Sequence, residues 1–262
     1  MIENENIVIN EGKNGLKYLQ FKKLLEFNIK HAYTLKTEGV DFSFNQDKHD
    51  ESYKMLADCL NIDVNQIVEP VQTHTDVVVE VDEFISSEEL KDVDGLITNK
   101  KNLAITSKNA DCILFFFYDP NKKVIANVHS GWKGTFKKIA LKTVEKMIKD
   151  YGCKAEDIYC FISPSIRKCH FEVDSDVKQM CEEIFNDYDL KCIISTGDVK
   201  DSKQKYMIDT VLINKEGLLK MGLKEDKIID SNLCSVCNKD KIHSARVEGE
   251  GFKRETSIIV LE

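Results

Sequence analysis

The stretch ILFFFYDPNKKVIANVHSGWKGT, from Ile113 to Thr135, sets the fold class. Its first six residues, Ile113 to Tyr118, are apolar without alternation, the pattern of a strand buried on both faces. After the turn comes a second apolar run, Val124 to Val128, which reads as another strand. It ends in His129 and turns through Gly131 and Gly134 into a helix whose apolar stripe is Ile139, Val144, Met147 and Ile148. Gly152 stops that helix as a C-terminal glycine does.

Upstream, Gln66 to Gln72, Val77 to Val81 and Leu103 to Ser107 read as strands, and Thr256 to Leu261 as a last one. The polar break in Val77 to Val81 makes that strand half exposed. Downstream, Ser175 to Tyr188 is a helix capped by Asp174 or Ser175, and Thr210 to Met221 is another, stopped by Gly222. Strands and helices interleave without a regular βαβ repeat. A mixed α/β fold follows, rather than a doubly wound Rossmann sheet. No Pro/Gly/Ser-rich linker or internal repeat divides the 262 residues, so one domain over 1–262 is expected.

Composition narrows the function classes. With 42% hydrophobic and 31% charged residues the chain is an ordinary globular protein. A formal charge of −8 argues against nucleic acid as a partner, because such binding needs a basic surface. Met1 to Asn10 carries no apolar run, and neither an export signal nor a membrane span is readable, so a cytoplasmic location is expected. The nine cysteines then read as reduced thiols. Cys59, Cys153, Cys160, Cys181 and Cys192 occupy positions where a buried apolar residue is expected. Cys234 and Cys237 form a CxxC with no second CxxC to complete a zinc site, and read as structural. His31, His49 and His170 have no supporting motif.

The chemistry-bearing residues lie on three segments. His129 closes a strand before a glycine turn and a helix, a place where ligands collect, although a hydrogen-bonded structural histidine reads equally well. Trp132 either covers such a pocket or plugs the core. NADC, Asn109 to Cys112, sets a cysteine just before the buried strand, and QTHTD, Gln72 to Asp76, sets a histidine between two strands. Histidine and thiolate are both zinc donors, and three protein ligands leave a position open for chemistry. Nothing in the spacing forces His74, Cys112 and His129 together.

The ordered set QTHTDVVVEVD, DGLIT at Asp94 to Thr98, NADC, NVHSGWKGT, SPSIRKCHFEV at Ser163 to Val173, and Ser244-Ala245-Arg246 resembles the YfiH/YlmD-type family. That family is also called the laccase-domain or polyphenol-oxidoreductase family. The likeness runs from about Gln66 to the end. Its HAGWRG stands here as HSGWKG, its ADC is Ala110 to Cys112 with Leu114 where proline is usual, and its SYRR is Ser244-Ala245-Arg246-Val247, with one arginine retained. The resemblance implies layered sheets and helices in the order α/β/β/α, and zinc held by His74, Cys112 and His129. It also implies phosphorolysis of adenosine, inosine, guanosine or methylthioadenosine to base and (methylthio)ribose-1-phosphate, and deamination of adenosine to inosine.

On that reading zinc makes water acidic enough to attack the purine, with Asp111 as candidate acid/base, although a structural carboxylate is the commoner role for a residue beside a ligand on a strand. Arg246 grips phosphate with its planar fork, unless it forms a surface pair with Glu248 or Glu250, while Ser244 and Lys133 add contacts. The implied partners are purine nucleosides and phosphate, acting on a monomer or weak homo-oligomer. Copper-dependent oxidation of phenols, the older family name, needs several histidine-rich centres, and six histidines cannot supply them. Two other readings remain. One is a cysteine hydrolase with Cys112 as nucleophile and His129 as base, from which His74 discriminates. The other is a binding module whose zinc only holds loops together.

Overall fold

The computed structural model describes residues 2–44 and 48–262. Two six-stranded mixed sheets stack face to face. The first runs Ile7–Glu11, Lys17–Phe21, Lys30–Thr34, Glu255–Val260, Ala104–Asn109, Ile67–Val68. The second runs Ile228–Asp230, Tyr159–Ile162, Ile113–Asp119, Val124–Ser130, Gly95–Thr98, Val78–Glu80. Most neighbours are antiparallel, with parallel pairs at Ile67–Val68 with Ala104–Asn109, Val78–Glu80 with Gly95–Thr98, and Tyr159–Ile162 with Ile228–Asp230.

The unbroken apolar run is explained by its two buried faces. Leu114, Phe116 and Tyr118 pack between the sheets with Leu19, Phe21, Ile105 and Ile259. Ile113, Phe115 and Phe117 pack instead under the helix Ile139–Tyr151, with Val144 and Met147. On the far side, helix His49–Leu60 covers the first sheet through Tyr53, Leu56 and Leu60. The order is helix, sheet, sheet, helix, the expected α/β/β/α layering. A three-stranded sheet, Glu172–Val173, Lys203–Ile208, Ile194–Lys200, stands beside it, with helix Ser175–Ile184 packed over a fourth cluster.

Gly152 and Gly222 end their helices with φ of 66° and 100°, as the sequence predicts. The strand expected over Gln66 to Gln72 is only Ile67–Val68, because the chain leaves the sheet at Pro70 to cross the sandwich. The strand of Val124 passes through His129 to Ser130, and the helix from Ser175 ends at Ile184 rather than Tyr188. All nine cysteines are free. Cys153, Cys160 and Cys181 are buried, whereas Cys59 is half-buried and Cys192 is exposed, its thiol donating to Asp189. No helix among the described residues is long and apolar enough to cross a membrane.

What positions the site is a set of crossings between the sheets at one end of the sandwich. Residues 69–77 lead from Val68 in the first sheet to Val78 in the second, and Ala110 to Cys112 lead from Asn109 to Ile113. The stretch 231–254 returns from Asp230 to Glu255.

Candidate active site

His74, Cys112 and His129 meet at that end, with their ligand atoms all within 4.8 Å of one another. Cys112 Sγ lies 3.7 Å from His74 Nε2, and the two imidazoles stand edge to face at 4.8 Å between centroids. A tetrahedral zinc ion separates a nitrogen and a sulfur ligand by about 3.5 Å, so the trio has the spacing of a metal site.

Asp94 organises the two histidines. It lies at 0% exposure, and its Oδ1 accepts from His129 Nδ1 at 2.7 Å and from the His74 N–H at 3.1 Å. Its Oδ2 accepts from the N–H and hydroxyl of Thr75, both at 2.7 Å, and from the Thr73 N–H at 3.3 Å. Three successive N–H groups thus wrap one carboxylate and hold His74 in the left-handed region, φ 64°, a conformation that costs about 1–3 kcal/mol unless its surroundings impose it. The Asp94 bond holds a proton on His129 Nδ1, so a metal ion that displaced the second proton would meet Nε2 as its ligand atom, the carboxylate–histidine arrangement of metal sites. Gly131 completes the fit: a Cβ there would come 2.6 Å from His74 Cδ2 and 3.0 Å from Cys112 Sγ.

The electrostatics follow from this packing. Burial opposes ionisation of Cys112, but the His129 charge and hydrogen bonds with both histidines outweigh it and bring the thiol down to about 6. Burial likewise disfavours the His129 cation, yet Cys112 and Asp94 raise it to about 9. Asp94 falls to about 2 against its own burial because His129 and Thr75 hold it ionised.

The trio opens on a cavity of about 640 Å³, within the range of small-molecule sites. Ile166, Phe171, Trp132 and Phe252 give it apolar walls, and Arg246, Arg254 and Lys108 bring cations to it. Trp132 does both things expected of it, lining the pocket and packing edge-on to Phe136 in the apolar cluster behind. Arg246 donates to the His170 and Glu172 carbonyls rather than pairing with Glu248, which binds Lys36 and His243. Arg254 is anchored on Ser43 and stacks on Phe252. Lys108 is buried against Glu69, and burial pulls its ammonium down to about 8.

The other expected site residues have different surroundings. Asp111 lines the cavity with φ 82°, but Oδ1 accepts from Ser235 and Oδ2 from the Arg246 N–H, so its carboxylate tethers the short helix Ala245–Glu248. Ser244 is buried outside the cavity lining, its hydroxyl without a partner among the described residues, and Lys133 is an exposed residue over the Trp132 ring. Cys234 and Cys237 lie behind the cavity wall, beside Cys169 and His170. Sequence reasoning missed Asp94 and Arg254. The first stands at the head of the DGLIT motif, a signal that was available; the second lies in a charged loop with none.

A sequence model of the family described as multi-copper polyphenol oxidoreductase laccase matches residues 38–262. A Clostridium acetobutylicum protein named purine nucleoside phosphorylase is 30% identical over 249 residues, 93% of this chain and 95% of that one. A Mus musculus protein also named purine nucleoside phosphorylase is 26% identical over 91% of this chain, which spans only 57% of that relative's length. A protein of an unknown prokaryotic organism named adenosine deaminase is 30% identical over 73% of each. Among solved structures, Bacillus licheniformis YfiH superposes with a TM-score of 0.85 at 25% identity, covering 94% of this chain and 96% of that one.

Proposed function

Since the chain belongs to the family described as multi-copper polyphenol oxidoreductase laccase, we propose that it is a zinc-dependent enzyme that phosphorolyses purine nucleosides and deaminates adenosine. The observation that carries this reading is the convergence of His74, Cys112 and an Asp94-held His129 on a cavity that two arginines also line. The relatives named purine nucleoside phosphorylase and adenosine deaminase support it.

Zinc on this trio would supply a Lewis acid and water acidic enough to act at neutral pH. His129 would hold the zinc through Nε2, giving up the proton there, because Asp94 occupies its other nitrogen, and Cys112, its thiol drawn down to about 6, would hold it as thiolate. In phosphorolysis an oxygen of hydrogen phosphate bonds to the anomeric carbon as the bond to the purine nitrogen breaks, and the purine leaves with the proton that the phosphate gives up. Arg246 and Arg254 bind and orient the phosphate, their guanidinium planes already anchored on carbonyls and on Ser43. Trp132, Phe171 and Phe252 hold the base and keep water from it. Asp111 is a positioning residue, since it fixes the main chain of Arg246.

Copper oxidation fits less well. Among the described residues the candidate ligand clusters are this trio and one cysteine-rich group, neither of them a histidine-rich array. A metal-free cysteine hydrolase has one observation in its favour, the chain Cys112, His129, Asp94. His74, 3.7 Å from the sulfur, has no part in that chemistry and separates the two.

The test is turnover of adenosine with and without phosphate by zinc-loaded protein, with His129→Ala and His74→Ala as controls. Adenine and ribose-1-phosphate formed only with phosphate, or inosine without it, and lost in both variants together with zinc, are expected. Folded, zinc-loaded protein that forms neither product would overturn the nucleoside assignment. Activity left intact in His74→Ala would show that zinc is not the catalyst.

A further inference from the structure

Behind the cavity wall lies a second group of ligating side chains that the proposed reaction does not use. We propose that Cys169, His170, Cys234 and Cys237 bind a second zinc ion, one that is structural and separate from the active site.

The four ligand atoms lie within 4.8 Å of one another. His170 Nδ1 is 3.2 Å from Cys169 Sγ, 3.5 Å from Cys234 Sγ and 3.6 Å from Cys237 Sγ, and Cys169 Sγ is 3.9 Å from Cys237 Sγ. The edges of a tetrahedral zinc site measure about 3.5 Å from nitrogen to sulfur and about 3.8 Å from sulfur to sulfur. One ring nitrogen carries at most one proton and cannot donate to three sulfurs, so hydrogen bonding does not account for this convergence. A disulfide does not either, since its sulfurs stand about 2.05 Å apart and all four of these residues are unbridged.

Four protein ligands with three sulfurs make a closed Cys3His set, the structural rather than the catalytic type. The CxxC of Cys234 and Cys237 supplies two of them from one loop. Adjacent residues Cys169 and His170 supply the others from a loop 64 positions away. These loops leave the parallel strands Tyr159–Ile162 and Ile228–Asp230 side by side. Ser165 N–H donates to Leu233 O and Ser235 N–H to Ser165 O, while Arg167 clamps Asp230 and the Leu233 carbonyl. That ladder stops short of the loop tips, and the zinc would close them. The tips matter to the neighbouring site because His170 O and Glu172 O hold Arg246, and Ile166 and Phe171 form the cavity wall.

Zinc counting on protein purified under reducing conditions tests this. Two ions per wild-type chain are expected, one in Cys112→Ala, and one in the double variant Cys234→Ser with Cys237→Ser. Cobalt added to Cys112→Ala should give intense sulfur-to-cobalt charge-transfer bands, lost when the exposed Cys169 is also changed to serine. The Cys169 variant keeps the buried Cys234, so it reports even where the double variant does not fold. Cys112→Ala produced with zinc in excess that holds no ion and gives no such bands would overturn the proposal, as would a Cys169–Cys237 disulfide that persists in reducing buffer. Neither readout depends on nucleoside turnover, so this site and the proposed reaction stand or fall separately.

Discussion

His31 and His129 are both withdrawn from water, at 0% and 4% exposure, yet the structure drives them in opposite directions. His31 lies in the core of the first sheet against Phe21 and Phe116, donates Nδ1–H to Ile29 O and accepts the Phe21 N–H at Nε2. Both partners are neutral, so burial wins and the imidazole falls to about 4. Burial opposes the His129 cation too, but that ring faces the Cys112 thiolate and the Asp94 carboxylate, and it rises to about 9. Burial sets the cost of a charge; the partners decide whether it is carried.

Asp94→Asn attacks the comparison at its centre. An amide in place of the carboxylate sets an N–H donor against the donors that now wrap it, and removes the counter-charge of His129. A stability loss of about 3–5 kcal/mol is expected, as for a broken buried pair. In the metal-free variant the His129 titration, followed by NMR, should move down from about 9 toward the His31 value. An unchanged titration and unfolding midpoint would mean that Asp94 does not govern His129.

His31 sharpens the other half. Its folded value of about 4 lies below the ordinary 6.5, so between those limits the unfolded chain takes up a proton that the folded chain refuses. Stability is therefore full above pH 6.5 and falls as the pH drops toward 4, by about 3 kcal/mol in total. Urea midpoints measured across this window should show that slope in the wild type and a shallower one in His31→Gln. Equal slopes would show that His31 is protonated in the fold or open to water.

The smallest expected effect is at Gly131, where the added methyl of Gly131→Ala meets His74 and Cys112. Zinc affinity should fall about tenfold, the lower end of effects from groups that orient ligands. The His31 titration should not move. A chelator competition that ranks the variant with the wild type would show that the trio has slack to spare.

Much of this was legible in sequence, for reasons specific to each residue. Ile113 to Tyr118 declared itself because both its faces are apolar, and Gly152 and Gly222 because their helices need left-handed ends. The first strands, Ile7–Glu11 and Lys17–Phe21, carry polar side chains on a partly solvated face and gave no continuous signal. Ile194–Lys200 is mostly exposed, Lys203–Ile208 is mostly half-buried with a polar first half, and both were as silent. At the site, His74, Cys112 and His129 were recognisable only through a family likeness, because their meeting depends on where two loops cross between sheets. Cys169 and His170 were invisible as partners of the CxxC for the same reason: adjacency across two loop tips has no period along the chain.

Those crossings carry one more consequence. His74 and Cys112 ride on bridges whose feet stand on different sheets, while His129 belongs to one sheet outright. The gap those bridges span is set by side chains between the layers, Leu114, Phe116 and Phe161 among them. The sandwich thus acts as a calliper on its own active site, and a methylene added or removed deep between the layers alters the grip at the far end of the bridges without touching any residue there.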